Sequence, residues 1–422
     1  MERTIAGGAN GRPSVLCLLP GIPLPANTGG AIRALSVLRA LDRAFDVTAV
    51  AWDRDGADPR ELERVLAGRL QLVRRSTAVD TMVAEAAGVA AGLPAGYSRY
   101  GWYPAALREV LATQEFAAVH FDHPHTALCW PLVRRLQARA KLVLDAHNVE
   151  AEIIERLASS APFWQRGALS WQARRIRALE REVAREMDLV IACSKRDAEV
   201  FAAMGAPRVC VVPNGVPPLS PSAVAQRRDV IFVGSLDWRP NADAAVELAR
   251  QIWPLCRGML PGARLVLVGR NPPSAVRALA ARDVIVTGSV SSVQPYLDAA
   301  FATAIPLRAG SGTRIKILEA WAAGVPVAAS RIAAEGLPYR DGIDLLLAEE
   351  PDEFARALVR LWRDRPLAER LIAEARRTVS PFTADHIAAA VARHYREELG
   401  IGSSESARAY SEAYAPAIAA TS

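Results

Sequence analysis

Cysteine is scarce. Cys17, Cys129, Cys193, Cys210 and Cys256 are an odd five in 422 residues with no CxxC spacing, which argues against a disulfide framework or a zinc site and fits a reducing cytoplasm. Lysine is scarcer still: only Lys141, Lys195 and Lys316 occur, so arginine supplies nearly all of the 51 cations and a lysine is unusually informative here. A dominant charge sign is also missing, since 51 basic against 45 acidic residues leave +6, too diffuse to imply a nucleic-acid partner but suited to an anionic ligand. Long hydrophobic runs are absent as well. Val15 to Leu19 stops at Pro20, too short for a signal-peptide core, and no stretch approaches the roughly 18 apolar residues of a spanning helix. The chain therefore reads as neither exported nor integral to a membrane. What it does have is 51% apolar and 23% charged residues, an ordinary globular balance that excludes disorder and collagen, over a length that suggests two or three domains.

Short apolar runs alternate with helix-periodic segments from residue 14 onward, the rhythm of parallel strands joined by crossover helices. Val15 to Leu19 and Val47 to Trp52 flank a helical stretch from about Ala31 to Leu41, with a glycine loop, Thr28-Gly29-Gly30, at the turn. Further strands are predicted at Val119 to Phe121, Leu142 to Leu144 and Leu189 to Ala192. After the turn-rich Pro213 to Pro218 and the linker Ser220-Pro221-Ser222 the pattern restarts, with strands at Val230 to Val233, Leu265 to Val268, Val284 to Val286, Ala302 to Ile305, Val325 to Ala328 and Leu345 to Leu347. The expected organisation is an α/β chain of two doubly wound parallel-sheet domains, 13–217 and 218–381. A helix over 382–400 and a loosely ordered tail over 401–422 follow.

In such sheets ligands bind beyond the carboxyl ends of the strands. The strongest candidate follows the strand ending near Ile305, at Gly310-Ser311-Gly312-Thr313-Arg314-Ile315-Lys316-Ile317-Leu318-Glu319. A helix beginning near Gly312 offers unpaired N–H groups and the positive end of its dipole to a phosphate. Gly310 and Gly312 permit close approach, Thr313 can cap or donate, Arg314 and Lys316 add cations, and Glu319 could accept the two hydroxyls of a ribose. The competing reading is a glycine loop whose charges merely face solvent. The pattern is not the phosphate loop GxxxxGK[ST], and Thr28-Gly29-Gly30 makes no GxGxxG, so a dinucleotide cofactor is not indicated.

Phe232-Val233-Gly234-Ser235-Leu236-Asp237-Trp238-Arg239-Pro240-Asn241, Gly310 to Ala323 and Gly324-Val325-Pro326-Val327 resemble the donor domain of family 4 retaining glycosyltransferases of the GT-B fold. Asp145-Ala146-His147-Asn148-Val149-Glu150, Cys193-Ser194 and Val212-Pro213-Asn214-Gly215-Val216 match the same family in the same order, and the likeness covers roughly residues 14 to 380. Its Gly-Ser-Gly-Thr-Arg-Ile-Lys loop resembles one branch of that family. The resemblance implies two Rossmann-like domains facing across a cleft, and a hexosyltransferase that moves sugar from a nucleotide diphosphate sugar with retained configuration and no obligatory metal or cofactor. It implies that Glu319 holds the ribose while Gly29, Gly30, Gly234, Arg239, Gly269, Arg270, Gly288, Val290, Gly310, Ser311, Gly312 and Thr313 line the donor. The terminal helix is expected to cross back to the first domain. Two departures stand out. Ser311 occupies a place where many members carry a second glutamate, and Arg239 stands without the usual companion lysine. Arg314 and Lys316 are therefore expected to have taken over the diphosphate.

Four of the six histidines, His120, His123, His125 and His147, cluster in the first half. The resemblance places a histidine near the reacting sugar, and His123 is the choice, with Asp122 the alternative under a one-residue shift. Local turn and capping roles compete with that reading. A metal cluster is not expected, because no carboxylate or cysteine spacing accompanies the histidines. His147, Asn148 and Glu150 are acceptor-side candidates, against a reading in which Asn148 caps a helix and Glu150 favours its dipole. On the long helical stretch Phe163 to Arg185, Arg166, Arg174, Arg175, Arg177, Arg181 and Arg185 could touch anionic lipid, but i to i+4 pairing with Glu180, Glu182 and Glu186 on a solvated face is favoured. The expected partners are a nucleotide-sugar donor and a saccharide or lipid-linked acceptor, in the cytoplasm or at the inner membrane face. A silent nucleotide-sugar-binding scaffold and a nucleotide-sugar epimerase are the rival functions.

Overall fold

The computed structural model describes residues 11–26, 28–53, 58–66, 69–73, 78–97, 103–216 and 227–401. The chain forms two units, residues 1–213 with 385–422, and residues 214–384. The expected linker Ser220-Pro221-Ser222 and the tail beyond 401 lie outside the described residues.

The first unit holds a seven-stranded parallel sheet: β1 (Ser14–Leu19), β2 (Asp46–Trp52), β3 (Leu70–Val73), β4 (Ala118–Asp122), β5 (Lys141–Ala146), β6 (Leu189–Ala192) and β7 (Val209–Val211). Their spatial order is β3-β2-β1-β4-β5-β6-β7. Every residue of β1 is buried because the pleat sends Leu16 and Leu18 to one hydrophobic core and Val15, Cys17 and Leu19 to another. The second core is covered by the terminal helix Ala384–Leu399 through Ile387, Val391, Tyr395 and Leu399. Tyr395 is fully buried, and its hydroxyl lies 2.7 Å from His120 Nδ1.

The second unit repeats the plan with six parallel strands: β8 (Asp229–Val233), β9 (Leu265–Val268), β10 (Val284–Val286), β11 (Ala300–Ile305), β12 (Val327–Ala329) and β13 (Leu346–Leu347). Their order is β10-β9-β8-β11-β12-β13. In both sheets the winding direction reverses beside the first strand, between β1 and β4 and between β8 and β11. In doubly wound sheets such a reversal is where ligands bind, because the two crossovers leave toward opposite faces.

The edge strands β3 and β7 were not expected from sequence; four and three residues give too little pattern to read. Thr28-Gly29-Gly30 is not a loop but a helix start. Thr28 Oγ1 accepts from Ala31 N at 3.1 Å, and the helix Gly29–Ala44 begins at the glycines. β12 starts two residues later than predicted, because Gly324 in the left-handed region closes the preceding helix and Val325 N still donates to the Ala320 carbonyl. Among the described residues no helix is long and apolar enough to cross a membrane.

Candidate active site

In the second unit, β8 ends at Val233 with Gly234 next in the chain, and β11 leads into the loop Gly310 to Thr313, so both flank the reversal point. The following helix runs Ile315–Ala323, three residues later than expected, with Arg314 as its N-cap residue. Arg314 does not project outward. Its Nη1 donates to the Ser311 carbonyl and, at 2.9 Å, to the Gly312 carbonyl, closing the loop on itself over Gly310, where φ is 152°. Thr313 is engaged by a distant residue and does not cap: its Oγ1 accepts from Asn214 N at 3.3 Å and its carbonyl from Asn214 Nδ2 at 3.1 Å. Ser311 is buried in this turn.

Lys316 is the cation that reaches the end of β8. Its Nζ sits 4.3 Å from the centre of the Phe232 ring and donates to Asn241 Oδ1 at 2.7 Å, while Asn241 Nδ2 donates to the Ser235 carbonyl at 2.9 Å. A side chain on Gly234 would meet Asn241 Nδ2 at 2.7 Å and Lys316 Nζ at 2.9 Å, and one on Gly269 would lie 1.8 Å from the Gly234 carbonyl oxygen. Glycine is thus required at Gly269, where the obstacle is backbone, whereas at Gly234 a Cβ would meet only the ends of two side chains. One turn along the helix, Glu319 is also buried. Burial, reinforced by Arg314 and opposed by Glu319, lowers Lys316 to about 7. Burial, opposed by Lys316, raises Glu319 to about 7.

The other donor-side candidates divide. Arg270 links the two strand ends through Ser235 Oγ at 3.2 Å and Asp237 at 3.6 Å, and Gly288 takes a left-handed turn with φ of 70°. Val290 packs on the core. Arg239 instead faces its own helix, 3.6 Å from Asp243, and is nearly half exposed at 45%. Asn241 and Phe232 belong to the quoted motif but carried no expected role. Sequence could not show that Lys316, 75 residues away from Asn241, uses that amide.

In the first unit, β4 ends at Asp122 and β5 at Ala146, delivering His123 and His147 side by side with ring centres 3.7 Å apart. Asp122 lies buried beneath and bridges them, 2.7 Å from His147 Nε2 and 3.3 Å from His123 Nδ1. Burial would raise its carboxyl, but His147 and then His123 hold it well below the usual carboxylate range. Burial lowers both imidazoles. Asp122 nevertheless brings His123 above its ordinary value, whereas the neighbouring His123 charge leaves His147 below. His123 adopts a left-handed φ of 82° and remains partly accessible, with 18% of its side chain exposed. Gly30 faces this pair, since a Cβ there would stand 3.6 Å from His147 Nδ1 and 3.9 Å from His123 Nε2.

Asp122, His123 and His147 offer three ligand atoms within 4.8 Å of one another, a grouping that could hold a metal ion. The expectation that no carboxylate accompanies the histidines is therefore corrected. Folding supplies Asp122, although both its oxygens already serve the imidazoles. Beneath, Arg33 is buried against Asp145 at 2.5 Å and donates to the Val212 carbonyl at 2.8 Å. Arg33 shares the helix stripe of buried Val37 and Leu41, the signal that could have marked it from sequence.

Asn148 does not cap the next helix. That helix, Glu150–Ser160, begins after Val149, and its N-terminal amides are taken by Glu180, whose Oε1 accepts from Glu150 N at 2.5 Å. Glu180, expected on a solvated face, is buried, and burial next to Glu150 pushes it up to about 8. The Glu150 carboxylate accepts from the Tyr97 hydroxyl and lies 3.8 Å from His125.

Comparison with known proteins agrees with this architecture. Residues 27–218 match the family described as Glycosyltransferase Family 4 and residues 227–364 that described as Glycosyl transferases group 1. The two segments thus resemble glycosyltransferase domains of the family 4 type, and the architecture is that of the GT-B fold. Among curated proteins it is similar to the D-inositol 3-phosphate glycosyltransferase of Acidothermus cellulolyticus, 31% identical over 220 residues, or 46% of this chain and 48% of that relative. The match therefore spans about half the length of that protein. Two solved structures share the fold. Sucrose-phosphate synthase from Thermosynechococcus elongatus has a TM-score of 0.70 at 17% identity, over 92% of this chain and all of that one. Anabaena HepE in complex with UDP and glucose has 0.64 at 17%, over 90% and 99%.

Proposed function

We propose that this protein is a retaining glycosyltransferase that moves a sugar from a nucleoside diphosphate sugar to a saccharide or lipid-linked acceptor without a metal ion. The observation that carries this reading is Lys316, held by Asn241 and Phe232 beside Gly234, with Glu319 one turn further along the same helix. As the bond from sugar to diphosphate breaks, negative charge grows on the phosphate. A cation already fixed there lowers the barrier without a metal. Glu319 is assigned to the ribose hydroxyls. On the first unit His123 is assigned to a hydroxyl of the sugar or acceptor, with His147 and Glu150 on the acceptor side. Asp122, occupied by both imidazoles, sets the orientation of His123 and is not needed as a metal ligand. The five described cysteines are buried and free, in keeping with a cytoplasmic place of work.

A thermal-shift screen of UDP-, GDP- and ADP-sugars tests the donor, since a ligand bound only by the native state raises the melting point. UDP-glucose belongs in the screen because HepE binds it. Glu319→Ala is expected to weaken donor binding by about 1.5 to 3 kcal/mol, the cost of losing a charged acceptor; unchanged calorimetric affinity would remove its role. Product analysis by NMR decides retention and separates transfer from epimerisation.

A further inference from the structure

The helix Phe163–Glu186 is buried along only part of its length. Its buried residues run from Ala173 onward, and none lies between Pro162 and Gln172, so its first turns stand clear of the unit. Phe163 and Trp164 lead this end, 79% and 68% exposed, with their rings edge to face at 5.1 Å. Trp171, seven residues after Trp164 and so on the same helix face, is 39% exposed beneath the Arg175 guanidinium at 4.0 Å. Water would ordinarily be kept from such a cluster.

The charge around it is one-sided. Between Glu155 and Glu180 the sequence has no acidic residue but carries Arg156, Arg166, Arg174, Arg175 and Arg177. The expected pairing within this helix does not occur among the described residues. Arg177 turns to Glu155 of the neighbouring helix at 2.7 Å and Arg156 to Glu152 at 3.6 Å. Arg166 and Arg175 donate to carbonyls of Ala161, Val89 and Leu93, which position them without neutralising them. The helix Ala78–Ala90, tied in through Val89, adds exposed Met82 and Val83.

We infer that this tip is a docking surface for an anionic lipid bilayer, with Phe163 and Trp164 entering the interface and Arg166, Arg174 and Arg175 meeting the headgroups. Aromatic rings favour that boundary and arginines beside it gain from negative surface potential. A second copy is disfavoured as occupant, because Arg166, Arg174 and Arg175 of two copies would meet like charge. The inference goes beyond the proposed transfer reaction and requires no donor.

The test is co-sedimentation of the full chain with phosphatidylcholine vesicles, with and without about a third phosphatidylglycerol, at low and high salt. Binding is expected to the anionic vesicles only, falling steeply with salt. The double variant Phe163→Ser, Trp164→Ser should cut partitioning by about tenfold, and Arg166→Glu, Arg174→Glu by at least as much. Both variants alter exposed positions and should keep the wild-type melting point and donor-induced shift. No binding to anionic vesicles, equal binding by the aromatic variant, or a tip that instead governs self-association or retention of single-stranded RNA would overturn the assignment. Loss of the donor-induced shift in wild type with vesicle binding intact would count against the transferase reading alone.

Discussion

A buried ammonium and a buried carboxylate one helical turn apart set the pH behaviour of the donor side. Lys316 falls to about 7, so between 7 and its ordinary 10.5 the native state binds fewer protons than the unfolded chain, and this group's contribution to stability rises with pH. Glu319 rises to about 7, so between its ordinary 4.5 and 7 the native state binds more protons and stability falls with pH. The two together make the ligand-free protein least stable, as far as these groups count, near neutrality. A diphosphate needs Lys316 protonated and a ribose needs Glu319 ionised. Donor affinity should therefore peak near pH 7 and fall on either side, by at most about tenfold per pH unit and group. Calorimetry across pH 5 to 9 checks this. Lys316→Arg should remove the alkaline fall, because a guanidinium stays charged, and Asn241→Leu should weaken binding while leaving the fold intact. A pH-independent affinity in wild type would exclude Lys316 as the phosphate cation.

At the scale of elements, the ends of β8 and β9 touch through backbone. The Gly269 position allows no Cβ, since the nearest atom would be the Gly234 carbonyl oxygen at 1.8 Å, which cannot swing aside. Gly269→Ala should cost more than about 3 kcal/mol in urea denaturation, because two strands must separate. Gly234→Ala meets only side-chain ends, Asn241 and Lys316, and should cost about 1 kcal/mol of stability while impairing donor binding far more. Equal destabilisation by the two would show that the strand ends yield. These glycines stand out in the sequence as residues after apolar runs. What the runs do not reveal is which of them meet: Gly234 and Gly269 come together only because β8 and β9, which they follow, pair in parallel register.

Over the whole molecule, the first unit is held by a charge pair that joins distant parts of the chain. Arg33 on the first helix binds Asp145 at the end of β5 and the Val212 carbonyl, 112 and 179 residues away. Arg33→Ala leaves a buried carboxylate with only histidines beside it and should cost about 3 to 5 kcal/mol by chemical denaturation. Replacing both partners by apolar residues should recover much of that loss. Loss below about 1 kcal/mol for the single change would mean that His147, 3.6 Å from Asp145, already compensates it. The residue order alone determined the alternation of strands and helices, the two doubly wound halves and the placing of the Gly310 loop after a strand, because periodicity and glycine position are local properties. Tertiary structure alone decided that Lys316 faces Phe232 and Asn241 while Arg314 folds inward, that Asp122 joins two histidines, that Glu180 caps a helix instead of facing water, and that Phe163 and Trp164 stay exposed. The contacts of Lys316 with Asn241, of Asp122 with His147 and of Glu180 with Glu150 each span 25 residues or more, and neither composition nor period encodes such approaches.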